Sequence, residues 1–288
     1  MVPGWITEGM SEQRVWLITG ATSGFGRALA EAALAAGDVV VAAARRPGAL
    51  DDLVAAHPDR VRAVALDVTD QAAISAAVAE AVLWHGRVDV LVNNAGRGLV
   101  GAVEETSDRE LREQMELHFF GPAALVRAVL PHMRRRGTGA IVQMSSMGGR
   151  MSFPGVGAYS ASKHALEGLT LALAGEVAGF GVRTLIVEPG SFRTSFAGTN
   201  SLARTAELPE YADLVGPVRR DLPNSDGAQP GDPVRAAAAI VAALDADETP
   251  LRLPLGNDAV DAIEASLARD REEAAIWEKV SRSTDFEA

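Results

Sequence analysis

Short apolar runs alternate along the chain with longer segments rich in Ala and Leu. Most of these runs are hydrophobic at consecutive positions, which predicts strands buried on both faces of a parallel sheet. The predicted strands are Val15–Ile18, Val39–Ala43, Val61–Leu66, Val88–Val92, Ala140–Met144 and Val182–Val187, with Leu251–Leu253 as a candidate seventh. Their alternation with helical segments predicts an α/β fold, a doubly wound parallel sheet covered by helices on both faces.

The segments between the strands have helical periodicity. They predict helices at Gly24–Ala36, Gln71–Trp84, Ser107–Arg135, Ala158–Ala178 and Ala259–Val280. Ser107 and Glu110 form an S-x-x-E capping box at the start of the third helix. Pro122 and Pro131 lack the backbone N–H that a helix interior uses, so we expect them to bend or interrupt it.

Two segments differ from this pattern. Residues 1–10 have neither the basic region nor the apolar core of a secretory signal, and we interpret them as a flexible extension without chemistry. Residues 11–288 are predicted to form a single domain. Within it, residues 195–233 have weak periodicity and several prolines, which favours a substrate lid because long irregular segments are often functional.

Composition narrows the class of protein further. The formal net charge is −11 and the longest basic run is Arg134–Arg136, so we expect no nucleic-acid partner. The chain has no cysteine, which excludes disulfides and thiolate metal sites and suits a cytoplasmic location. The sequence has no cluster of metal-ligating residues, so we predict no metal site. No apolar run reaches the roughly 18 residues of a membrane span.

A glycine-rich turn joins the first predicted strand to the first predicted helix. Its sequence is Thr19-Gly20-Ala21-Thr22-Ser23-Gly24-Phe25-Gly26. Glycines there allow the backbone to approach a pyrophosphate at the helix N-terminus. The spacing is G-x-x-x-G-x-G rather than the G-x-G-x-x-G of many dinucleotide enzymes. The turn predicts nucleotide binding, with an ordinary glycine-rich turn as the alternative.

Two polar segments directly follow predicted strands. Asn93-Asn94-Ala95-Gly96 follows the fourth strand, and Asp67-Val68 follows the third. In a doubly wound sheet, ligands bind at the carboxyl ends of the strands, so both segments are candidate binding residues. The alternative for the first segment is a polar turn. Asp67 is suited equally to accepting from an adenine amino group and to capping the next helix.

Tyr159 and Lys163 lie four residues apart in a predicted helix and therefore share one face. An ammonium stabilises a nearby phenolate, so we expect the pKa of Tyr159 to fall from about 10 toward neutrality. Tyr159 would then exchange protons at physiological pH. Ser146 precedes the tyrosine by thirteen positions.

Together these motifs resemble the short-chain dehydrogenase/reductase family. The residues that carry the resemblance are Thr19-Gly20-x-x-x-Gly24-x-Gly26, Asn93–Gly96, Ser146, Tyr159-x-x-x-Lys163 and Pro189-Gly190, in the order and spacing of the family. The resemblance is close from about residue 14 to residue 194. It implies a Rossmann-type sheet, an NAD(P)-dependent oxidoreductase that acts on a carbonyl or secondary alcohol, and a homo-oligomer, either a dimer or a tetramer.

The resemblance also implies a role for each motif residue. Tyr159 corresponds to the catalytic acid/base, Lys163 to the residue that binds the nicotinamide ribose, and Ser146 to the serine that hydrogen-bonds the reacting oxygen. Cofactor contacts are implied for Tyr159 and Lys163 and for Gly20, Thr22, Ser23, Gly24, Phe25, Gly26, Asp67, Val68, Asn93, Ala95, Gly96, Pro189, Gly190 and Thr194.

One position departs from the family pattern. The family usually has an asparagine three residues before a glycine in the long helix, where His118 precedes Gly121 here. We weigh two interpretations of His118. It could join a catalytic proton relay, because imidazole titrates near neutrality, or it could be a histidine packed at a helix kink beside Pro122.

The end of the second strand bears on the choice of cofactor. NAD-preferring relatives place an acid there for the ribose 2′-hydroxyl, where this chain has Ala44 followed by Arg45 and Arg46. Arg45 could pair with a 2′-phosphate. We therefore predict NADP, with NAD as the alternative if both arginines are only solvated loop charges.

The substrate side is less defined by the sequence. Apolar residues near the catalytic serine and in the lid suggest a pocket for an apolar small molecule, or are ordinary core residues: Met147, Met151, Phe153, Phe192, Phe196 and Tyr211. Arg204, Arg219 and Arg220 are expected on a solvated surface. Two alternatives to the reductase remain: a regulatory protein that binds a dinucleotide without turnover, and a redox isomerase or dehydratase of the same fold.

Overall fold

A parallel sheet forms the centre of the protein, which we describe from a computed structural model for residues 13–198 and 201–286. The predicted extension over residues 1–10 lies outside these ranges. The sheet has the strand order β3-β2-β1-β4-β6-β7-β9. Its strands are β1 (Val15–Thr19), β2 (Val39–Ala44), β3 (Val61–Ala65), β4 (Val90–Asn93), β6 (Gly139–Met144), β7 (Val182–Pro189) and β9 (Arg252–Leu255).

Helices cover both faces of this sheet. They are α1 (Gly24–Ala35), α2 (Asp51–Ala56), α3 (Gln71–His85), α4 (Asp108–Met115), α5 (Gly121–Arg136), α6 (Gly157–Val177), α7 (Ala212–Asn224), α8 (Pro233–Asp245) and α9 (Asn257–Arg282). The core on one face includes α1, α2 and α8, and the core on the other includes α3, α5 and α6. The predicted α/β fold class with a doubly wound parallel sheet is confirmed.

Strand β1 shows why the apolar runs are continuous. Trp16 and Ile18 point into one core, whereas Val15 and Leu17 point into the other. Successive side chains of a strand alternate between its faces, and here both faces are covered by helices. A strand in the middle of such a sheet is therefore mostly apolar, and its buried polar residues, such as Asn93 of β4 and Gln143 of β6, bond each other.

The strand order creates a crevice next to β1. The chain passes from β1 outward to β2 and β3, and then returns to place β4 on the other side of β1. The connections after β1 and β4 therefore diverge at the carboxyl edge of the sheet. Ligands of doubly wound sheets bind at this switch point.

The predicted long helix from residue 107 to residue 135 is two helices. A π-helical turn at Glu116–Phe120 separates α4 from α5, and Pro122 lies in the first turn of α5. The interruption expected near Pro122 is present, whereas Pro131 lies inside α5 without ending it. Ser107 and Glu110 form the predicted capping box.

The segment predicted as a lid contains regular structure. Strand β8 (Leu202–Arg204) pairs with β5 (Gly98–Val100) in a second, two-stranded sheet, and helix α7 follows. Arg219 of α7 is not solvated as expected. It is 6% exposed and pairs with Glu105 at 2.5 Å, whereas Arg204 and Arg220 are exposed. The buried ion pair therefore holds this segment against the loop after β5.

Helix α9 leaves the body of the protein. Ala259, Ile263 and Ser266 are buried, but every described residue from Leu267 onward is exposed. Among the helices of the described ranges, none is both long enough and apolar enough to span a bilayer.

Candidate active site

The glycine-rich turn adopts a conformation that requires its glycines. Gly20 and Gly24 have φ angles of 66° and 55°, in the left-handed region that glycine enters without strain. A Cβ on Gly26 would lie 2.3 Å from the carbonyl oxygen of Gly20. Gly26 therefore permits close packing of α1 against the turn, and Gly20 and Gly24 shape the turn itself.

Helix α1 begins at this turn without a side-chain cap. Ser23 occupies the N-cap position, but its hydroxyl hydrogen-bonds Ser195 at 3.0 Å instead of a helix N–H. By contrast, Asp70 and Asp232 each accept from backbone N–H groups at the starts of α3 and α8. The first-turn N–H groups of α1 are therefore available to an anion.

A cavity of about 1040 Å³ lies at the carboxyl edge of the sheet. It brings together most of the residues singled out in the sequence: Gly20, Thr22, Ser23, Gly24, Phe25, Arg45, Asp67, Val68, Ala95, Gly96, His118, Ser146, Tyr159, Lys163, Pro189, Gly190 and Thr194. Gly26 and Asn93 do not line it. Gly96 keeps its floor open, since a Cβ there would lie 2.7 Å from the His118 ring.

Asn93 points away from the cavity and into the core. It is 4% exposed and donates to Gln143 Oε1 at 2.9 Å. Its neighbour Asn94 lines the cavity and donates to the carbonyl oxygens of Thr19 and Gly20. Of the two asparagines, only Asn94 lines the cavity, and its amide group holds the glycine-rich turn in place.

Asp67 does not cap the next helix, which was one of the two interpretations of this residue. Asp70 caps α3, whereas Asp67 accepts from the backbone N–H and hydroxyl of Thr69. Hydrogen bonds from Thr69, with smaller contributions from the charges of Arg45 and Arg97, hold the Asp67 pKa below its usual value. Asp67 is therefore an ionised, exposed acceptor at the end of the cavity near β2 and β3.

Arg45 and Arg46 follow β2 at the same end of the cavity. Both are exposed and line it, and within residues 13–198 and 201–286 neither guanidinium forms a hydrogen bond or a close ion pair, although the charge of Arg45 acts on Asp67. Two guanidinium groups are therefore available to a negatively charged ligand there. Ala44 contributes no acid.

Ser146, Tyr159 and Lys163 meet at the opposite end. Ser146 follows β6 and its Oγ accepts from the backbone N–H of Gly148 at 3.0 Å. Lys163 Nζ donates to the carbonyl oxygen of Met144 at 2.8 Å and lies 5.6 Å from the centroid of the Tyr159 ring. Helix α6 thus places the phenol and the amine on one face, as their spacing predicts.

The protonation of this pair differs from the expectation. Burial raises the pKa of Tyr159 to about 12, and a hydrogen bond with Ser146 offsets only part of that rise. Burial lowers the pKa of Lys163 to about 7, against the opposing charge of Glu167. The expected fall in the tyrosine pKa is wrong for the free protein, because desolvation disfavours both phenolate and ammonium.

His118 is buried in the π-helical turn, with 1% of its surface exposed. Its Nε2 lies 2.9 Å from the carbonyl oxygen of Arg97 and so carries the ring proton. Its ring stands edge-on to Tyr159, with centroids 5.4 Å apart. Burial, followed by the charge of Lys163, holds the His118 pKa well below its usual value. A neutral imidazole supports the packed histidine over the proton carrier.

The apolar part of the cavity is partly as expected. Met147, Phe153, Phe192 and Phe196 line it, whereas Met151 and Tyr211 do not. The lining also includes residues that the sequence did not single out: Arg97, Leu99, Val100, Val156, Leu202 and Leu222. Leu99 and Val100 closely follow the Asn93–Gly96 segment, so their proximity to it in sequence could have identified them as cavity residues. Leu202 and Leu222 come into place only through the pairing of β5 with β8 and the packing of α7.

The sequence matches a known enzyme family. A family model described as short chain dehydrogenase matches residues 14–204. Oxidoreductase BOA17 of Botryotinia fuckeliana is 41% identical over 249 residues, which are 86% of this chain and 90% of that protein. The chain therefore belongs to the short-chain dehydrogenase family of oxidoreductases, and the family predicted from its motifs is confirmed.

Solved structures agree with this assignment. A short-chain dehydrogenase from Streptomyces avermitilis is 59% identical with a TM-score of 0.91, covering 96% of this chain and all of that chain (100%). One from Burkholderia phymatum, in complex with NAD, is 28% identical with a TM-score of 0.81 and coverage of 92% and 95%. One from Burkholderia cenocepacia, in complex with NADP, is 28% identical with a TM-score of 0.72 and coverage of 93% and 97%.

Proposed function

We propose that this protein is an NADP(H)-dependent oxidoreductase that interconverts a carbonyl group and a secondary alcohol on an apolar small molecule. The observation that carries the proposal is one cavity with an uncapped helix N-terminus near its middle and Ser146, Tyr159 and Lys163 at one end. An open N-terminus suits a pyrophosphate. A serine, a phenol and an amine suit a reacting oxygen.

The cavity has features that fit a nicotinamide dinucleotide. The free N–H groups of α1 would hold the pyrophosphate, Asp67 and Val68 would face the adenine, and Thr194 would lie beside the nicotinamide. When bound, the nicotinamide supplies or accepts the hydride. The fit is supported by Gly24, where a Cβ would lie 3.1 Å from Thr194 and fill the space between turn and loop.

The protonation of the site favours carbonyl reduction as the direction to test first. A phenol with a pKa of about 12 is fully protonated near pH 7, so Tyr159 can donate its proton to the oxygen of a carbonyl. Ser146 would donate a hydrogen bond to that same oxygen as negative charge develops on it. Lys163 would bind the cofactor ribose, and its ammonium would then lower the tyrosine pKa.

The preference for NADP rests on Arg45 and Arg46. Within the described ranges neither guanidinium is within ion-pair distance of a carboxylate, although the charge of Arg45 acts on Asp67, and Ala44 provides no acid that would repel a 2′-phosphate. A charge-assisted contact from a guanidinium is strong and often bidentate. Both NAD and NADP occur in the structural relatives, so the cofactor must be measured.

The test is a fluorescence titration of the purified protein with NADPH and with NADH. We expect tighter binding of NADPH, and we expect Arg45→Asp to weaken NADPH at least tenfold while leaving NADH nearly unchanged. Arg235→Asp is the matched control, since Arg235 is exposed on α8, outside the lining of the cavity. Equal affinities for the two cofactors in the wild type would contradict the NADP preference. If the protein binds neither cofactor, the proposal that it is an NADP(H)-dependent enzyme would be wrong.

A Tyr159→Phe variant separates the enzyme from a regulatory protein that only binds the dinucleotide. We expect the variant to bind NADPH normally and to lose ketone reduction by about 10²–10⁴-fold, the usual contribution of a general acid. Unchanged turnover would remove Tyr159 from the mechanism. Product formed without net consumption of NADPH would instead identify a redox isomerase or dehydratase.

A further inference from the structure

A buried cluster of charged residues lies behind Lys163. Glu167 follows Lys163 by four residues on α6 and therefore shares its face of the helix. Glu167 is 2% exposed and Glu188, at the end of β7, is 0% exposed. A buried carboxylate is costly unless it is paired, so the partners of these two acids show what the cluster does.

Glu167 contacts three elements around the site. Its Oε1 accepts from Ser145 Oγ at 2.5 Å, and its Oε2 accepts from Arg252 of β9. Arg252 also bonds Glu188 Oε1. A Cβ on Gly149 would lie 2.1 Å from Glu167 Oε1, so the short turn after Ser146 rests directly on this carboxylate.

These contacts converge on the end of β6. Met144, Ser145 and Ser146 are consecutive: the first holds Lys163 Nζ through its carbonyl oxygen, the second is anchored to Glu167, and the third faces the cavity. Movement of Ser145 would therefore displace both the serine of the site and the acceptor of the lysine. The Glu167 carboxylate therefore supports the end of β6 together with the backbone hydrogen bond from Ser145 to Val187.

The charge of Glu167 also faces Lys163. The other titratable groups around that amine are Tyr159 on α6 and His118 in the π-helical turn, and His118 is neutral. Arg252 and Arg150 offset the two acids on the far side of the cluster. Glu167 is thus the anion placed to favour the protonated amine, and its charge raises the pKa of Lys163 against the effect of burial.

We propose that Glu167 is a positioning residue that anchors the end of β6 through Ser145 and places a negative charge on the face of α6 that carries Lys163. The inference rests on the proposed function, in which Ser146 and Lys163 act on the same substrate and cofactor. It predicts that the two effects can be separated by substitution. Glu167→Gln removes the charge but retains an oxygen that can accept from Ser145, whereas Ser145→Ala removes the anchor but retains the charge.

The sequence makes the charge of Lys163 directly measurable. Lys163 and Lys279 are the only lysines in the chain, so protein labelled with ¹³C and ¹⁵N in lysine gives two side-chain signals. Lys279 is exposed on α9 and serves as an internal control, and Lys279→Arg assigns the signals. The readout is the pH midpoint of each lysine in the cofactor-free protein, which requires no turnover.

We expect Lys163 to titrate near pH 7 in the wild type and about one unit lower in Glu167→Gln, the usual effect of losing a nearby opposite charge. Ser145→Ala should shift the midpoint much less than Glu167→Gln does, because the charge of Glu167 is retained. It should lower kcat for reduction of 2-octanone by NADPH about tenfold, without a change in the KM for NADPH. An unchanged midpoint in Glu167→Gln, or an equal shift in Ser145→Ala, would overturn the inference.

A second variant covers the case in which Glu167→Gln does not fold. Glu167→Asp retains the charge but not the reach to Ser145, so Lys163 should titrate as in the wild type while kcat falls as in Ser145→Ala. A shifted midpoint in Glu167→Asp would contradict the inference. Failure of the wild type to bind NADPH would overturn the proposed function separately, because the lysine titration does not depend on it.

Discussion

At the scale of single residues, burial sets the protonation of the candidate catalytic pair. Tyr159 and Lys163 are as close as their spacing predicts, yet the free protein holds a neutral phenol and an amine with a pKa of about 7. Desolvation exceeds the mutual stabilisation of the two charged forms.

Lys163 should make the stability of the free protein depend on pH. Its folded pKa of about 7 lies below the unfolded value of 10.5, so between these values the unfolded chain binds the extra proton and stability rises with pH. From pH 7.5 to 9.5, below the ionisation of Tyr159, the free energy of unfolding should rise by about 2 kcal/mol relative to Lys163→Met. Urea unfolding of both proteins measures this, and parallel pH profiles would refute the lysine shift.

At the scale of secondary structure, the π-helical turn between α4 and α5 places His118 against the site. The turn lies where Gly121 approaches β3, since a Cβ on Gly121 would lie 2.4 Å from the carbonyl oxygen of Val68. The irregular turn and the glycine together let the helix pass this strand end closely. His118 is thereby buried, and burial keeps it neutral.

Replacing His118 with asparagine, the residue usual in the family, tests whether the imidazole carries protons. Because burial holds the His118 pKa well below its usual value, we expect the imidazole to stay neutral across the neutral pH range. We expect His118→Asn to change kcat less than about tenfold, or 1.4 kcal/mol. The pH dependence of kcat should keep its shape over this range. If the pH profile of kcat has a limb near pH 6.5 in the wild type that is lost in the variant, the relay hypothesis would be restored.

A buried ion pair fastens α7 beside the cavity. Burial alone would raise the pKa of Glu105, but bonds from the Leu208 and Ala102 N–H groups and from Arg219 outweigh it and lower that pKa. Arg219 also donates to Thr205. The segment predicted as a lid is thus attached beside the cavity by an ionised carboxylate with several hydrogen-bond donors, and its role as a lid stays a proposal.

Removing Arg219 should be costly because it leaves the Glu105 carboxylate buried without its cation. We expect Arg219→Met to lower the free energy of unfolding by about 3–5 kcal/mol. Its exposed neighbour provides the control, since Arg220→Met should change stability by less than about 0.5 kcal/mol. Urea unfolding measures both, and similar values for the two variants would contradict the account of the ion pair.

At the scale of the whole molecule, the end of α9 has no partner within the described part of the chain. Ile276, Trp277 and Val280 are 70%, 58% and 56% exposed. Exposed helical ends contribute little to the stability of a folded body. A homo-oligomer, expected from the family resemblance, stays a prediction, and this helix offers a way to test it.

Truncation after Arg269 should leave a monomer nearly as stable as the full chain. We expect the melting temperature to change by about 2 °C or less, because the removed residues bury nothing within the chain. A larger fall that depends on protein concentration would show that a second copy covers this helix. Sedimentation velocity of both proteins determines the assembly state directly.

The sequence alone predicted the strands of the main sheet, several of the helices and many of the cavity residues, but not α2, α7 or α8. Apolar runs, helical periodicity and the glycine-rich turn are local signals, so they can be recognised in the sequence without knowledge of the fold. The grouping of Ser146, Tyr159 and Lys163 was likewise predicted from the number of residues that separates them in the motifs. These predictions concern residues that act close to their neighbours in the chain.

Only the tertiary structure decided which side chains face the cavity and how they are charged. The direction of Asn94, the burial of Arg219 and the contact of Glu167 with Ser145 and Arg252 depend on segments distant in sequence. A pKa depends on desolvation and on charges from several elements at once. These quantities arise from packing between segments, which no single stretch of sequence encodes.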